Sequence, residues 1–330
     1  WLSQGRVTDA FEKELAKCSG AKYAVVVNNG SSALLCALLA HGARPGDRVL
    51  VPDYSYVATA NVPTLLGCRV FLADVCPKTL DVSESEIEKA IREFHPRFVI
   101  PVDVAGMPND LDFLSELANT YGFTLIEDGA EALGAEYLGQ RVGSMGHTVV
   151  VSFDAAKQIT TIEGGALLTN DMQVAERSHL IRNHGESVDR KYFHELVGMN
   201  LKTTDIQSAI GMAQLKKLNK YICRRNEIAR RYREALSEWF GFQEVPRYVT
   251  RHSYMMFIAL ASSQRKRNTL RENLLRNGID TRTPWPPLHT QPAFKSASLK
   301  FPNSTLIFNH SVALPMYNNM KDSEAEFVVS

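Results

Sequence analysis

The stretch AVVVNNGSSAL, residues 24–34, joins a run of β-branched residues to the start of an apolar helix. Residues 24–27 have the composition of a buried strand, and residues 31–41 have helical periodicity. Helical patterns also occur at residues 82–94 and 111–121. Further apolar runs of the strand type lie at residues 48–51, 70–73, 97–102, 123–126 and 148–153. Strands separated by helices in this way predict an α/β protein whose mostly parallel sheet is flanked by helices.

The texture of the sequence changes after residue 200. Residues 205–239 form a long helical pattern rich in Arg and Lys, with a predicted break near Leu218. A strand, a helix and a Pro-rich loop are predicted next, at residues 252–259, 263–277 and 284–287. These elements predict a smaller α/β domain at the C-terminus. We therefore predict a large domain over residues 1–225 and a small domain over residues 226–330.

The composition excludes several classes of protein. Its 330 residues include 37 Lys and Arg and 36 Asp and Glu, and a net charge of +1 argues against general nucleic-acid binding. An apolar content of 45% excludes a disordered chain. No apolar run approaches the roughly 18 to 20 residues that span a bilayer, so we expect no membrane segment. Because the sequence begins at Trp1 without an initiator Met, we expect the natural N-terminus to lie upstream.

The cysteines predict the redox environment. They are scattered without CxxC spacing, at Cys18, Cys36, Cys68, Cys76 and Cys223. An odd number of isolated cysteines argues against a disulfide framework and against a zinc site, and we expect no metal. Buried, unpaired thiols are typical of a reducing compartment, so the expected location is the cytoplasm.

A candidate phosphate site follows the first predicted strand. In an open parallel sheet, ligands bind beyond the carboxyl ends of the strands. Gly30 permits close approach of a ligand to the backbone, and the hydroxyls of Ser31 and Ser32 lie beside the free amides of a helix start. A helix cap with a tight turn would give the same sequence. The segment has neither the Walker A nor the GxGxxG pattern, which disfavours ordinary nucleotide binding.

Three more groups follow other predicted strands. Asp128 ends one strand and could orient a substrate, bind Mg²⁺ or pair with a cationic ring nitrogen, although a helix cap is an equal alternative. Lys157 follows another strand in a loop of small residues, where desolvation would make it nucleophilic, or where it could be an ordinary surface lysine. Tyr56 brings an aromatic face to the same edge, unless it packs in the core. Together these groups are what pyridoxal 5′-phosphate (PLP) requires.

Several short segments of the sequence match, in the same order, segments of one known protein family. They occur at residues 5–12, 28–34, 56–61, 127–134, 152–165, 182–185, 198–200, 205–211 and 287–292. In these blocks the sequence resembles, nearly end to end, the DegT/DnrJ/EryC1/StrS family of PLP-dependent nucleotide-sugar aminotransferases. The resemblance implies the aspartate-aminotransferase (type I) PLP fold and a homodimer with a shared active site.

The resemblance also assigns roles to matching positions. Lys157 matches the Schiff-base lysine, Asp128 the partner of the pyridine nitrogen, and Tyr56 the aromatic residue stacked on the cofactor ring. Glu131 stands where many members have Gln near the 3′-oxygen of the cofactor. The resemblance also implies that Ser31, Ser32 and Ser152 contact the cofactor phosphate. Asn200 is implied to reach the phosphate bound by the other subunit of the dimer.

The sequence departs from the family pattern at two positions near these blocks. Ile162 replaces a common Gly before Glu163-Gly164-Gly165, which we expect to alter the loop after the lysine. Leu133 replaces a His of many relatives, so the sugar contacts are expected to differ. Lys157 is retained, whereas the related dehydratases carry His there.

By this resemblance the protein moves an amino group from L-glutamate to a keto group, at C4, of a nucleotide-linked deoxysugar. Residues 278–282 and 287–289 resemble C4-aminating members of the perosamine-synthase type, which serve polysaccharide synthesis. Two alternatives remain open, a sugar dehydratase working through pyridoxamine phosphate (PMP) and a non-catalytic regulatory protein that holds PLP. Candidate substrate contacts are Arg182, His184, Arg282, Trp285 and His289, each of which could instead be loop packing or surface charge.

Overall fold

The computed structural model describes residues 2–294 and 300–330. Its helices are α1 (Arg6–Ser19), α2 (Gly30–Ala40), α3 (Ala58–Leu65), α4 (Glu84–Phe94), α5 (Leu111–Tyr121), α6 (Met172–Arg182), α7 (Asp205–Leu215), α8 (Leu218–Leu236), α9 (Gln264–Arg276), α10 (Pro302–His310) and α11 (Asp322–Val329). Its strands are β1 (Tyr23–Val27), β2 (Arg48–Pro52), β3 (Arg69–Ala73), β4 (Phe98–Val99), β5 (Thr124–Asp128), β6 (Glu136–Tyr137), β7 (Gln140–Arg141), β8 (Thr148–Ser152), β9 (Gly165–Thr169), β10 (Gly241–Phe242), β11 (Val249–Arg251), β12 (Phe257–Leu260) and β13 (Ser311–Leu314).

The main sheet confirms the predicted mostly parallel architecture. Among the described residues it has seven strands in the order β1-β9-β8-β5-β4-β2-β3. The five strands from β8 to β3 pair in parallel, and β9 runs antiparallel to both of its neighbours. Strand β2 illustrates how both faces are covered, since side chains alternate along a strand. Val49 and Val51 pack in a core with α2, whereas Leu50 packs in a second core with α4 and α5.

Several element boundaries match the sequence prediction, and two differ. α5 spans the predicted residues, and α7 and α8 are separated next to the predicted break at Leu218. The strand predicted over residues 97–102 is reduced to β4, because Pro101 has no amide hydrogen to donate. The strand predicted from residue 252 begins only at Phe257, because Tyr254 has a left-handed backbone with φ 46°.

The C-terminal part has its own core, built around the small sheet β10-β12-β13. Ile228, Tyr232, Phe257 and Val312 are buried there against the last helix, α11. The predicted boundary between residues 225 and 226 lies inside α8, which continues through it without a break. Strand β11 also leaves this part of the chain to pair with β6. The division into two domains stays a prediction.

Candidate active site

A cleft of about 1580 Å³ opens where β5 and β8 end and α2 begins. One wall comes from the first half of the chain and includes Gly30, Ser31, Tyr56, Asp128, Glu131, Ser152 and Lys157. The opposite wall comes from the C-terminal part and includes Arg225, Arg282, Trp285, Tyr317 and Phe327. The sequence therefore predicted the main chemical groups of one wall, and the fold brings them together.

The start of α2 forms a cradle for an anion. The side chain of Asn29 caps the helix by accepting a hydrogen bond from the Ser32 amide at 2.8 Å. The amides of the first turn have no acceptor inside the helix, and the helix dipole adds positive potential there. A Cβ atom on Gly30 would lie 3.1 Å from the Cβ of Ser152, so the glycine lets the strand end and the helix start meet closely. Gly30, Ser31 and Ser152 line the cleft.

Ser32 has a different position from its neighbours. Its side chain is buried, and its amide is engaged by Asn29. It does not line the cleft among the described residues, so any contact of its hydroxyl with a bound phosphate stays a prediction. In the structure, the amide of Ser32 takes part in the Asn29 cap that shapes the cradle.

Asp128 ends β5 with its carboxylate in the cleft and only 5% of the residue exposed. Its Oδ2 accepts a hydrogen bond from the Thr59 hydroxyl at 2.7 Å, and its Oδ1 accepts one from the Ala130 amide at 3.3 Å. Burial raises the pKa of Asp128 above its ordinary value, whereas the Thr59 hydrogen bond and the charge of Lys157 lower it. A cationic partner in the cleft would relieve the cost of burying this carboxylate.

Lys157 reaches the same cleft from the loop after β8. The loop is tied to the strand end, since the Thr161 amide donates to the Phe153 carbonyl at 2.9 Å. The Nζ of Lys157 lies 3.4 Å from Oε1 of Glu131, and the Ala105 amide donates to the other oxygen at 2.9 Å. Burial raises the pKa of Glu131, and the nearby ammonium opposes this shift. The Lys157 side chain is 16% exposed, so its amino group is accessible to a carbonyl group in the cleft.

The aromatic residues of the predicted edge divide between core and cleft. Tyr56 is 60% exposed and lines the cleft. Tyr54, two residues earlier, is fully buried and packs against Trp285 with a ring separation of 5.7 Å. Arg282 is exposed at the opposite wall, where its backbone pairs with that of Ala313.

Besides Ser32, four predicted site residues do not line this cleft among the described residues. His289 is held by buried Asp53, with 2.7 Å between its Nδ1 and the carboxylate Oδ2. His184 and Asn200 are exposed, and their chain segments meet where Asn183 pairs with Asn200. The interpretation of Arg182 as a substrate contact is wrong, because its guanidinium is buried against Glu12 and donates to the Val26 carbonyl at 2.6 Å.

Sequence reasoning missed several polar residues of the cleft, among them Thr59 and Arg225. Thr59 lies in a quoted family block, but its link to Asp128 joins strand and helix positions far apart in sequence. Arg225 is one of many basic residues of α8, yet it is buried and donates to the Tyr254 carbonyl at 2.8 Å. Burial lowers the pKa of Arg225 to about 10. Its spacing on an Arg-rich helix gives no signal that separates it from its neighbours.

Two further features concern metal binding and membrane insertion. Within residues 2–294 and 300–330, no three His, Cys, Asp or Glu side chains are grouped as metal ligands would be. None of the helices in this described part of the chain combines the length and the apolar character needed to cross a membrane.

Comparisons with known proteins now decide the family. A model of the DegT/DnrJ/EryC1/StrS aminotransferase family matches residues 1–330. The chain belongs to this family. It is 33% identical over 299 residues to the GDP-perosamine synthase of Caulobacter vibrioides, with 89% of this chain and 80% of that protein covered. It is 32% identical over 329 residues to the GDP-perosamine synthase of Escherichia coli O157:H7, with coverages of 99% and 90%.

A solved structure of the family extends the likeness to the fold. The S. venezuelae protein DesV, in complex with a ketimine intermediate, superposes with a TM-score of 0.95 at 30% identity. The alignment covers 100% of this chain and 89% of DesV. The predicted type I PLP fold is therefore confirmed, and the protein is a sugar aminotransferase that uses PLP. The helix-start cradle, the buried carboxylate and the cleft lysine fit the phosphate, the ring nitrogen and the aldehyde of that cofactor.

Proposed function

We propose that the protein transfers the amino group of L-glutamate to the C4 keto group of a nucleotide-linked 4-keto-6-deoxy sugar. One observation carries the proposal: the amine of Lys157 and the carboxylate of Asp128 lie in one cleft, with the electrostatic influence of one on the other. A cleft of about 1580 Å³ is large enough for a cofactor and a sugar nucleotide together. The likeness to two GDP-perosamine synthases supports the choice of C4.

Each cofactor role is assigned to a residue of the first wall. Asp128 pairs with the protonated pyridine nitrogen, and Tyr56 lies against the ring face. Gly30, Ser31 and Ser152 bind the phosphate at the start of α2. When bound, PLP supplies an electron sink that stabilises negative charge at the carbon bearing the amino nitrogen.

Lys157 and Glu131 manage the protons in this proposal. Lys157 would hold the cofactor, and its free Nζ would carry a proton to and from the reacting carbon. Glu131 accepts a hydrogen bond from the Lys157 ammonium, as their separation of 3.4 Å supports. Its other oxygen is fixed by the Ala105 amide, so the carboxylate is oriented before the ligand arrives.

The second wall is assigned to the sugar nucleotide. Arg282 presents an exposed guanidinium to the cleft, and such a group suits a diphosphate. Trp285 offers an aromatic surface to the sugar or base, and it is anchored on Tyr54. His289 is oriented by Asp53, and its assignment to the substrate stays a prediction.

A homodimer completes the proposed site. Asn200 is assigned to the cofactor phosphate of the partner subunit, and His184 to the same side of that site. Apolar side chains around Asn200 are strongly exposed in the single chain, including Val197 at 92% and Tyr192. Exposed apolar surface of this kind is typical of a face that another subunit covers.

The test is amination of a panel of nucleotide 4-keto sugars with nitrogen-labelled glutamate. We expect one sugar product to gain the labelled nitrogen and glutamate to be converted to 2-oxoglutarate. Lys157→Ala should abolish turnover, whereas Lys216→Ala, on a helix end outside the cleft, should retain it. Full transaminase turnover by Lys157→Ala would refute the mechanism. A product that lost oxygen without gaining nitrogen would indicate a dehydratase, and a visible band unchanged by glutamate would indicate a regulatory protein.

A further inference from the structure

The carboxylate of Asp128 depends on few hydrogen bonds for its orientation. It is buried at the end of β5, and its surroundings include two other buried acids, Glu127 and Glu131. Lys157 is the cation that acts on it electrostatically. The donors to its side chain are the Thr59 hydroxyl at 2.7 Å and the Ala130 amide at 3.3 Å. The Thr59 bond is the shorter of the two, and one oxygen is thereby held much more firmly than the other.

The hydroxyl of Thr59 is itself held in place at the start of α3. Its Oγ1 lies 2.8 Å from the Oγ of Ser55 and 3.2 Å from the Tyr56 carbonyl. A hydroxyl donates one hydrogen, and a hydrogen bond to a carboxylate is the strongest of the choices available. Thr59 therefore donates to Asp128, and its oxygen can accept from Ser55. Ser55, Thr59 and Asp128 are all buried, so water competes little for the bonds between them.

We propose that Thr59 is a positioning residue, which fixes Oδ2 of Asp128 and so presents the carboxylate to the pyridine ring of the cofactor. The inference rests on the proposed role of Asp128. Tyr56, just before α3, and Thr59, in its first turn, both line the cleft, so an aromatic ring and a hydroxyl lie close together there. The same hydrogen bond lowers the pKa of Asp128 against the effect of burial.

The experiment compares PLP binding by matched variants of the full chain. Absorbance titration of the cofactor-free protein gives the PLP dissociation constant. Thr59→Val keeps the shape and removes the donor, and we expect binding about tenfold weaker, as for one charge-assisted hydrogen bond. Thr59→Ser should remain within about twofold of wild type. Thr64→Val is the control, because that hydroxyl lies on the same helix and, within the described part of the chain, donates to the Ala60 carbonyl alone.

A double variant separates positioning from packing. If Thr59 acts through Asp128, adding Thr59→Val to Asp128→Asn should weaken PLP binding far less than it does in wild type. The pH at which the visible band of the bound cofactor changes should also differ between Thr59→Val and wild type, and not for Thr64→Val. Ser55→Ala gives a smaller change in the same direction and serves if Thr59→Val does not fold.

Two results would overturn the inference. One is a PLP dissociation constant of Thr59→Val equal to that of wild type. The other is the same loss in the wild-type and Asp128→Asn backgrounds, which would indicate packing alone. Both measurements use cofactor binding, so a wild-type protein that binds PLP but aminates no sugar would refute the proposed function and leave this test intact.

Discussion

His252 makes the folded protein sensitive to acid. Its ring is buried and lies parallel to the ring of Tyr254, with 3.7 Å between the centroids. Its Nδ1 accepts the Tyr254 amide hydrogen at 2.9 Å, so the ring proton is on Nε2, which is 3.3 Å from Oε1 of Gln243. Burial, and then the charge of Arg233, lower the pKa of His252 to about 3. The folded state therefore requires the neutral ring.

The size of the acid effect follows from this depressed pKa. The unfolded chain binds the proton near the ordinary pKa of 6.5, while the folded ring stays neutral. The contribution of His252 to stability is complete above that pH and is lost as the pH falls below it, until the folded pKa is reached. Each pH unit costs about 1.4 kcal/mol, so the loss is about 2 kcal/mol by about pH 5.

The assay is urea unfolding of wild type and His252→Asn between about pH 7.5 and pH 5. Asn keeps an acceptor for the Tyr254 amide and does not titrate. We expect wild type to lose about 2 kcal/mol more than the variant over this range. His95→Asn is the control, because His95 is exposed and its left-handed backbone, with φ 43°, suits Asn. An unchanged pH slope in His252→Asn would refute the reasoning.

Three further predictions concern the loop after the lysine, the sheet beside α2 and the subunit face. Ile162 is 64% exposed with φ 74°, so Ile162→Gly should raise the free energy of unfolding by about 1 kcal/mol in thermal unfolding. Gly165→Ala would put a Cβ 2.5 Å from the carbonyl carbon of Asn29, beside the start of α2, and should weaken PLP binding in absorbance titrations. Gly241→Ala is the control and should not weaken it, because its Cβ would lie 3.6 Å from the nearest atom, the Cβ of Leu260. Val197→Asp should shift the protein from dimer to monomer in sedimentation and lower turnover together; an unchanged dimer would contradict the assigned face.

The fold could be predicted from the sequence because the sheet is buried on both faces. Strand β8, residues 148–152, is buried at every position and has three consecutive valines, which is the pattern of a strand covered by helices on both sides. The antiparallel direction of β9 could not be predicted, since an apolar run carries no information on strand direction. The shortening of β4 follows from Pro101, a residue whose effect depends on which neighbour its missing amide would have faced.

Residue chemistry alone could select the site residues that follow strands, whereas Arg282 and Trp285 on the opposite wall were selected through the family resemblance. Lys157 and Asp128 could be selected because the carboxyl ends of strands share one edge. Thr59 and Arg225 could not be selected, because what places them in the site is hydrogen bonding to residues distant in sequence. Arg182 was misassigned for the same reason, since its partner Glu12 is 170 residues away in sequence.

The two walls of the cleft are synthesised one after the other, because they come from different parts of the chain. Every residue assigned to the cofactor within one chain lies between Gly30 and Lys157, whereas the opposite wall, apart from Arg225, begins at Met255 and ends at Val328. Synthesis on the ribosome proceeds from the N-terminus, and the first-made part of a chain generally folds first. The cofactor side of the site thus leaves the ribosome well before the wall that faces the sugar. A chain that ended before Met255 would still contain every cofactor residue assigned within one chain, but it would lack most of the surface assigned to selecting the substrate.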